Sequence, residues 1–162
     1  MLKLKHIATA FFLGLLAAYC LPAPAQLMDK KALTLEAAKK LVAAAEAEAV
    51  KNKWNVVIAI VDDGGHLIYL QRMDGAQTGS VDVAIKKAQT AMAFKRPTKV
   101  FEDAVGGGRQ VILALPGALP LEGGLPIAVG TQIIGAIGVS GAKSTEDGQI
   151  AKAGADAAAG LN

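Results

Sequence analysis

Hydrophobic positions change period several times along the chain, and each change marks an element. Leu35, Ala38, Val42, Ala45 and Ala49 recur at alternating spacings of three and four, one apolar stripe on a helix. Thr34 is placed to cap it, with Glu36 in the first turn facing the positive helix end. The helix is expected to end near Asn52. Val56 to Val61 is then an unbroken, mostly β-branched apolar run, the pattern of a strand covered on both faces. Asp62-Asp63-Gly64-Gly65 supplies turn chemistry and His66 to Gln71 resumes as a strand, so the pair reads as a β-hairpin.

A second helical stripe follows in Val81, Ala84, Ile85, Ala88, Ala91 and Met92, with Ser80 or Asp82 at its start and Lys86 and Lys87 expected to point away. Arg96-Pro97-Thr98 ends it, because proline restricts the residue before it and suits the first turn of a new helix. A short third helix is expected from Thr98 to Val105, closed by Gly106-Gly107-Gly108. Gln110 to Leu115 reads as a strand. Leu125 to Val129 and Ile133 to Ser140 read as a second hairpin turning at Gly130-Thr131-Gln132. A final Ala-rich helix opens at Thr145-Glu146-Asp147 and runs to about Ala159. The sum is an α+β domain with a five-stranded, mostly antiparallel sheet flanked by helices.

Composition changes this picture mainly at the N-terminus. Lys3 and Lys5 precede the apolar run Ile7 to Leu21, and Ala23-Pro24-Ala25 has the small-x-small form of a cleavage site. Residues 1–25 therefore read as a secretory signal peptide, and residues 26–162 as one domain. Pro22 and Pro24 end the run too early for a membrane span. Cys20 suggests lipid attachment, but Tyr19 before it is too large for that processing. The chain carries 17 Lys and Arg against 14 Asp and Glu; without Lys3 and Lys5 the cations fall to 15. Near neutrality argues against nucleic acid or an acidic membrane as partner. With Cys20 and His6 in the leader, the exported domain has no thiol and His66 as its one imidazole. That excludes disulfides and a multi-histidine zinc site.

Several motifs look chemical and are read as structure. Gly106-Gly107-Gly108 is followed by Arg109-Gln110, not by the Lys-Ser/Thr of a phosphate loop. Gly135-x-x-Gly138-x-x-Gly141 lies in a strand, where small residues let a helix or another subunit approach closely. Asp62 and Asp63 suit a hairpin turn. Ser80, Ser140 and Ser144 lack a nucleophile elbow. The hairpin cluster is different. His66 offers one imidazole to haem iron, with Tyr69 and Met73 as further ligands nearby. Arg72, Lys86, Lys87 and Arg96 offer cations for propionates. No CxxCH occurs, so such haem is non-covalent.

The residues also carry a resemblance. Leu33-Thr34-Leu35-Glu36-Ala37-Ala38, Ile58 to Leu67 and Arg72-Met73-Asp74-Gly75-Ala76 resemble the GlcG/HbpS family of haem-binding proteins, whose domain also closes PduO-type proteins. Lys87-Ala88-x-Thr90-Ala91, Arg96-Pro97-Thr98, Gly123 to Ile127 and Ile134 to Gly141 fit in the same order. The resemblance implies a profilin-like fold, homo-oligomers and, in some members, haem binding or slow oxidative haem breakdown. It does not place the haem ligand; His66 is the chemical choice. The expected protein is a periplasmic or secreted, oligomeric haem-binding protein serving haem or iron sequestration. The rivals are a non-haem module for an organic acid, using Arg72, Arg96 or the Gly123-Gly124 loop, and peroxide-dependent haem degradation. No catalytic residue is assigned.

Overall fold

The computed structural model describes residues 25–161. The signal peptide expected over residues 1–25 lies outside them except for Ala25. From residue 31 onward the chain forms helix α1 (Leu35–Asn52), strands β1 (Val57–Asp62) and β2 (Leu67–Arg72), and helices α2 (Ser80–Phe94) and α3 (Lys99–Gly106). A 3₁₀ turn (Gln110–Ala114), strands β3 (Gly124–Val129) and β4 (Gln132–Ser140), helix α4 (Ser144–Asp156) and a closing 3₁₀ turn (Ala157–Gly160) complete it. The sheet has four strands in the order β2-β1-β4-β3, antiparallel throughout.

Alternation along the central strands sorts side chains to two faces. Val56, Ile58, Ile60, Ile137 and Val139 face α1 and α4 and join Leu41, Val42, Ala45 and Ile150 in the main core. Val57, Ala59, Val61 and Ala136 face α2, meeting Ala84, Ala88, Ala91 and Met92. The expectation of a doubly covered first strand holds: residues 57–61 are fully buried. An irregularity in the β3–β4 register gives Ile134 to the α1 side and Ile133 to the α2 side, as an extra residue reverses the pleat.

Local chemistry explains the element ends. The Thr34 hydroxyl accepts from the Ala37 N–H at 3.1 Å, the expected cap. At α2 the N-cap is Gly79, with no side-chain cap bond, instead of Ser80 or Asp82. Ser80 is buried as the first helical residue.

The fifth strand is absent. Residues 110–114 form i,i+3 bonds, including Ile112 N–H to Arg109 O and Leu115 N–H to Ile112 O. Only Ile112 is buried there, while Val111 is 67 % and Leu113 60 % exposed. A short apolar run does not tell strand from turn, and the nearest sheet edge is closed to it. On β3 the Gly124 N–H donates to Thr98 Oγ1 at 2.9 Å, and Gly124 O accepts from the Thr98 N–H at 2.9 Å. Two residues on, Pro126 has no N–H to offer a further strand.

Candidate functional site

The β1–β2 hairpin holds the single histidine of the described residues. Its turn is built on Asp62, whose Oδ1 accepts from the N–H groups of Gly64 and His66, each at 2.8 Å. Gly65 takes φ +82°, which glycine adopts without strain. Gln89 of α2 donates to Gly65 O at 3.2 Å, so the tip is docked on the helix. The His66 N–H bond, more than any other contact, holds the Asp62 carboxyl below the usual carboxylate range. The same Oδ1 lies 3.4 Å from His66 Nδ1, and the His66 side chain is 82 % exposed. A carboxylate thus lies beside Nδ1, and most of the ring is open to the outside. This is how protein carboxylates commonly orient a metal-binding imidazole.

The other expected ligands do not gather around that ring. Tyr69 stands opposite Ile60 and packs with Met73 against the α1-side core. Arg72 stands opposite Val57 on the α2 face, and its Nε donates to Ala76 O at 3.0 Å. Arg72 is also six residues along from His66, about 20 Å of strand. Arg96 lies beyond α2, with its guanidinium 5.9 Å from the centre of the Phe101 ring and its Nε on Phe94 O.

Lys87 corrects the expectation that it points away. It is 2 % exposed, and its Nζ lies 2.8 Å from Asp147 Oδ2 and 2.9 Å from Val139 O. Asp147 is equally buried and accepts the Ala142 N–H at 3.0 Å. Burial pushes the Asp147 carboxyl up from its ordinary range, against the bond from Lys87. The spacing contained this signal: Lys87 stands three residues after Ala84 and four before Ala91, on the stripe itself. This pair ties α2, β4 and the first turn of α4 together beneath Gly123, where a Cβ would lie 2.8 Å from Lys87 Nζ.

Among the described residues, grooves of small-molecule size open elsewhere. One of about 560 Å³ lies at the start of α1, lined by Leu33, Lys40, Val129, Ile134 and Leu161 among others. The second, about 570 Å³, runs along β3 and α4, with Leu125, Pro126, Ala128, Ile133 and Ala155 as apolar walls. Neither is lined by His66, which stands on the hairpin at the opposite edge of the sheet from β3. Among the described residues no three His, Cys, Asp or Glu side chains are placed to hold a metal ion, and no helix is long and apolar enough to cross a membrane.

The class the geometry defines is an α+β domain with a four-stranded antiparallel sheet and one exposed imidazole on its first hairpin. Comparison gives the family. Residues 33–156 match the family described as haem degrading protein HbpS-like, and the chain belongs to it. Protein GlcG of Escherichia coli K12 is 44 % identical over 111 residues, covering 68 % of this chain and 83 % of GlcG. The crystal structure of a double mutant of Streptomyces reticuli HbpS superposes with TM-score 0.72 at 35 % identity, covering 85 % of this chain and 96 % of the other. The crystal structure of a PduOC–haem complex superposes with TM-score 0.70 at 30 % identity, covering 78 % and 95 %.

Proposed function

We propose that this protein is an exported protein of haem or iron handling that binds haem non-covalently, with His66 as the residue that would hold the iron. The observation that carries the reading is the outward imidazole backed by Asp62, in a chain whose relatives include a haem complex. An imidazole is a residue type that would hold haem iron. Asp62 would hold the ring orientation and tautomer, and the exposed Leu67 beside it offers apolar surface to a macrocycle. Bound haem supplies iron redox chemistry with peroxide; the protein's part is to hold it. Tyr69, Met73, Arg72 and Arg96 line neither of the two grooves described above, so His66 carries the assignment. The profilin-like label and the periplasmic or secreted location belong to the same reading; the basic, apolar and small-x-small pattern of residues 1–25 supports export.

Haemin titration tests this reading. A Soret shift saturating at micromolar haem, roughly −8 kcal/mol, is expected. His66→Ala is expected to weaken it by about tenfold or more, near 1.4 kcal/mol. Absence of any Soret shift removes haem as the ligand. A shift that survives in His66→Ala keeps haem as the ligand and assigns the iron-holding residue elsewhere.

A homo-oligomer is part of the proposal. An imidazole lying open on a hairpin needs cover if haem is to leave water, and a second copy would provide it. Val100, Val111, Leu113 and Leu121 give the chain an exposed apolar surface over residues 100–121. Light scattering is expected to report a mass of two chains or more; a monomer at high concentration refutes the assembly.

A further inference from the structure

The groove along β3 and α4 has no place in the haem reading, and its chemistry is distinct. Its walls are apolar: Leu125, Pro126, Ala128, Ile133 and Ala155. The lysines on its rim are already engaged, Lys99 on Asp103 at 2.6 and 2.9 Å and Lys152 on Asp156. The exception is Glu122. It is half-buried at the end of the groove, and its backbone N–H is taken by the Glu102 carboxylate. No hydrogen bond among the described residues reaches its own carboxylate.

Gly148, in the first turns of α4, makes the seat for that carboxylate. A Cβ there would lie 2.4 Å from Glu122 Oε1. The charges around the seat do not balance. Glu102, Asp103 and Glu122 stand against Lys99 and, more weakly, the buried Lys87, which is itself paired with Asp147. Burial, with the two neighbouring carboxylates, pushes Glu122 up from its usual range, while Lys99 and Lys87 oppose. A carboxylate in that position gains from an arriving positive charge. The groove's volume of about 570 Å³ lies within the usual range for small-molecule sites. Apolar walls beside a carboxylate complement a cation that carries an apolar body.

We propose that this groove binds a small organic ammonium ion, the nitrogen on Glu122 and an alkyl or aryl body along Leu125, Pro126 and Ile133. This is a second site, independent of His66. The primary ammonium donates to the Glu122 oxygens, and the body displaces water from the apolar wall. A carboxylate ligand is disfavoured by the same acidic surplus, and an uncharged alcohol gains only the wall.

The test uses three probes of one length, hexylamine, hexanol and hexanoate, titrated into the whole protein and followed by NMR or calorimetry. Saturable binding of hexylamine at millimolar concentration, at least about tenfold tighter than either other probe, is expected. Glu122→Gln should remove that preference. Ala128→Phe, at an exposed position on the groove wall, should block all binding. Haemin titration of both variants should match the parent, which separates this site from the haem reading. Equal affinity for hexanol and hexylamine, tighter binding of hexanoate, no saturable binding, or a preference that survives Glu122→Gln would each overturn the proposal.

Discussion

Lys87→Met is expected to lower the folding stability by ~3–5 kcal/mol, the usual cost of leaving one member of a buried ion pair alone. Lys87 and Asp147 are each 2 % exposed, so water cannot replace the lost partner. The consequence has a pH sign. Burial already raises the Asp147 carboxyl in the parent, and removing Lys87 removes a group that holds it down. A carboxyl with a higher pKa folded than unfolded binds more protons when folded. Stability therefore falls as pH rises through the window between the two values. The variant should lose more, relative to the parent, at pH 8 than at pH 5. Urea denaturation at both pH values measures it. The double variant Lys87→Met with Asp147→Leu removes both charges and should recover most of the loss. A single variant as stable as the parent would show that the pair contributes nothing.

Gly138→Ala is expected to be at least as damaging. A Cβ at Gly138 would sit 2.0 Å from Ala84 O and 2.5 Å from the Ala88 nitrogen. Both are backbone atoms of α2, so no rotamer change makes room; the helix must lift off the sheet. Overpacking usually costs ~1–3 kcal/mol. Here the loss should reach ~3 kcal/mol or more, read as a melting temperature lower by on the order of 10 °C. Gly106→Ala is the control. Nothing lies within 4 Å of that Cβ, at the end of α3, and alanine there should be neutral or stabilising by up to ~1 kcal/mol. If Gly138→Ala melts with the parent, the close approach of α2 to β4 is not what requires glycine.

These residues mark the reach of sequence reading. Gly138 was legible as a place where a helix comes close, because glycine weakens a strand unless something needs the space; at Gly135 and at Gly141, just past β4, the neighbour is instead backbone in or just before β1. The structure names the visitors: Val61 O, Ala84 O and Asn55 O. Lys87 was misread because a charged residue beside an apolar stripe was assigned to solvent by type, not by angle. Its partner Asp147 is 60 residues away, and no local pattern announces such a pair. Gln110 to Leu115 was misread for a related reason. An apolar run has no strand identity until an edge exists to receive it, and Thr98 and Pro126 close the nearest one.

Local physics settled the helices, both hairpins and the doubly covered first strand, since 3.6- and 2-residue periods and turn chemistry are written in consecutive residues. The lone imidazole among the described residues was equally a matter of composition. The placing of side chains from distant segments needed the tertiary fold. It set His66 outward on Asp62, sent Tyr69 and Arg72 to opposite faces, buried Lys87 on Asp147 and brought Glu122 over Gly148. Such juxtapositions depend on which surfaces pack together, a property of the closed chain and of no single stretch within it.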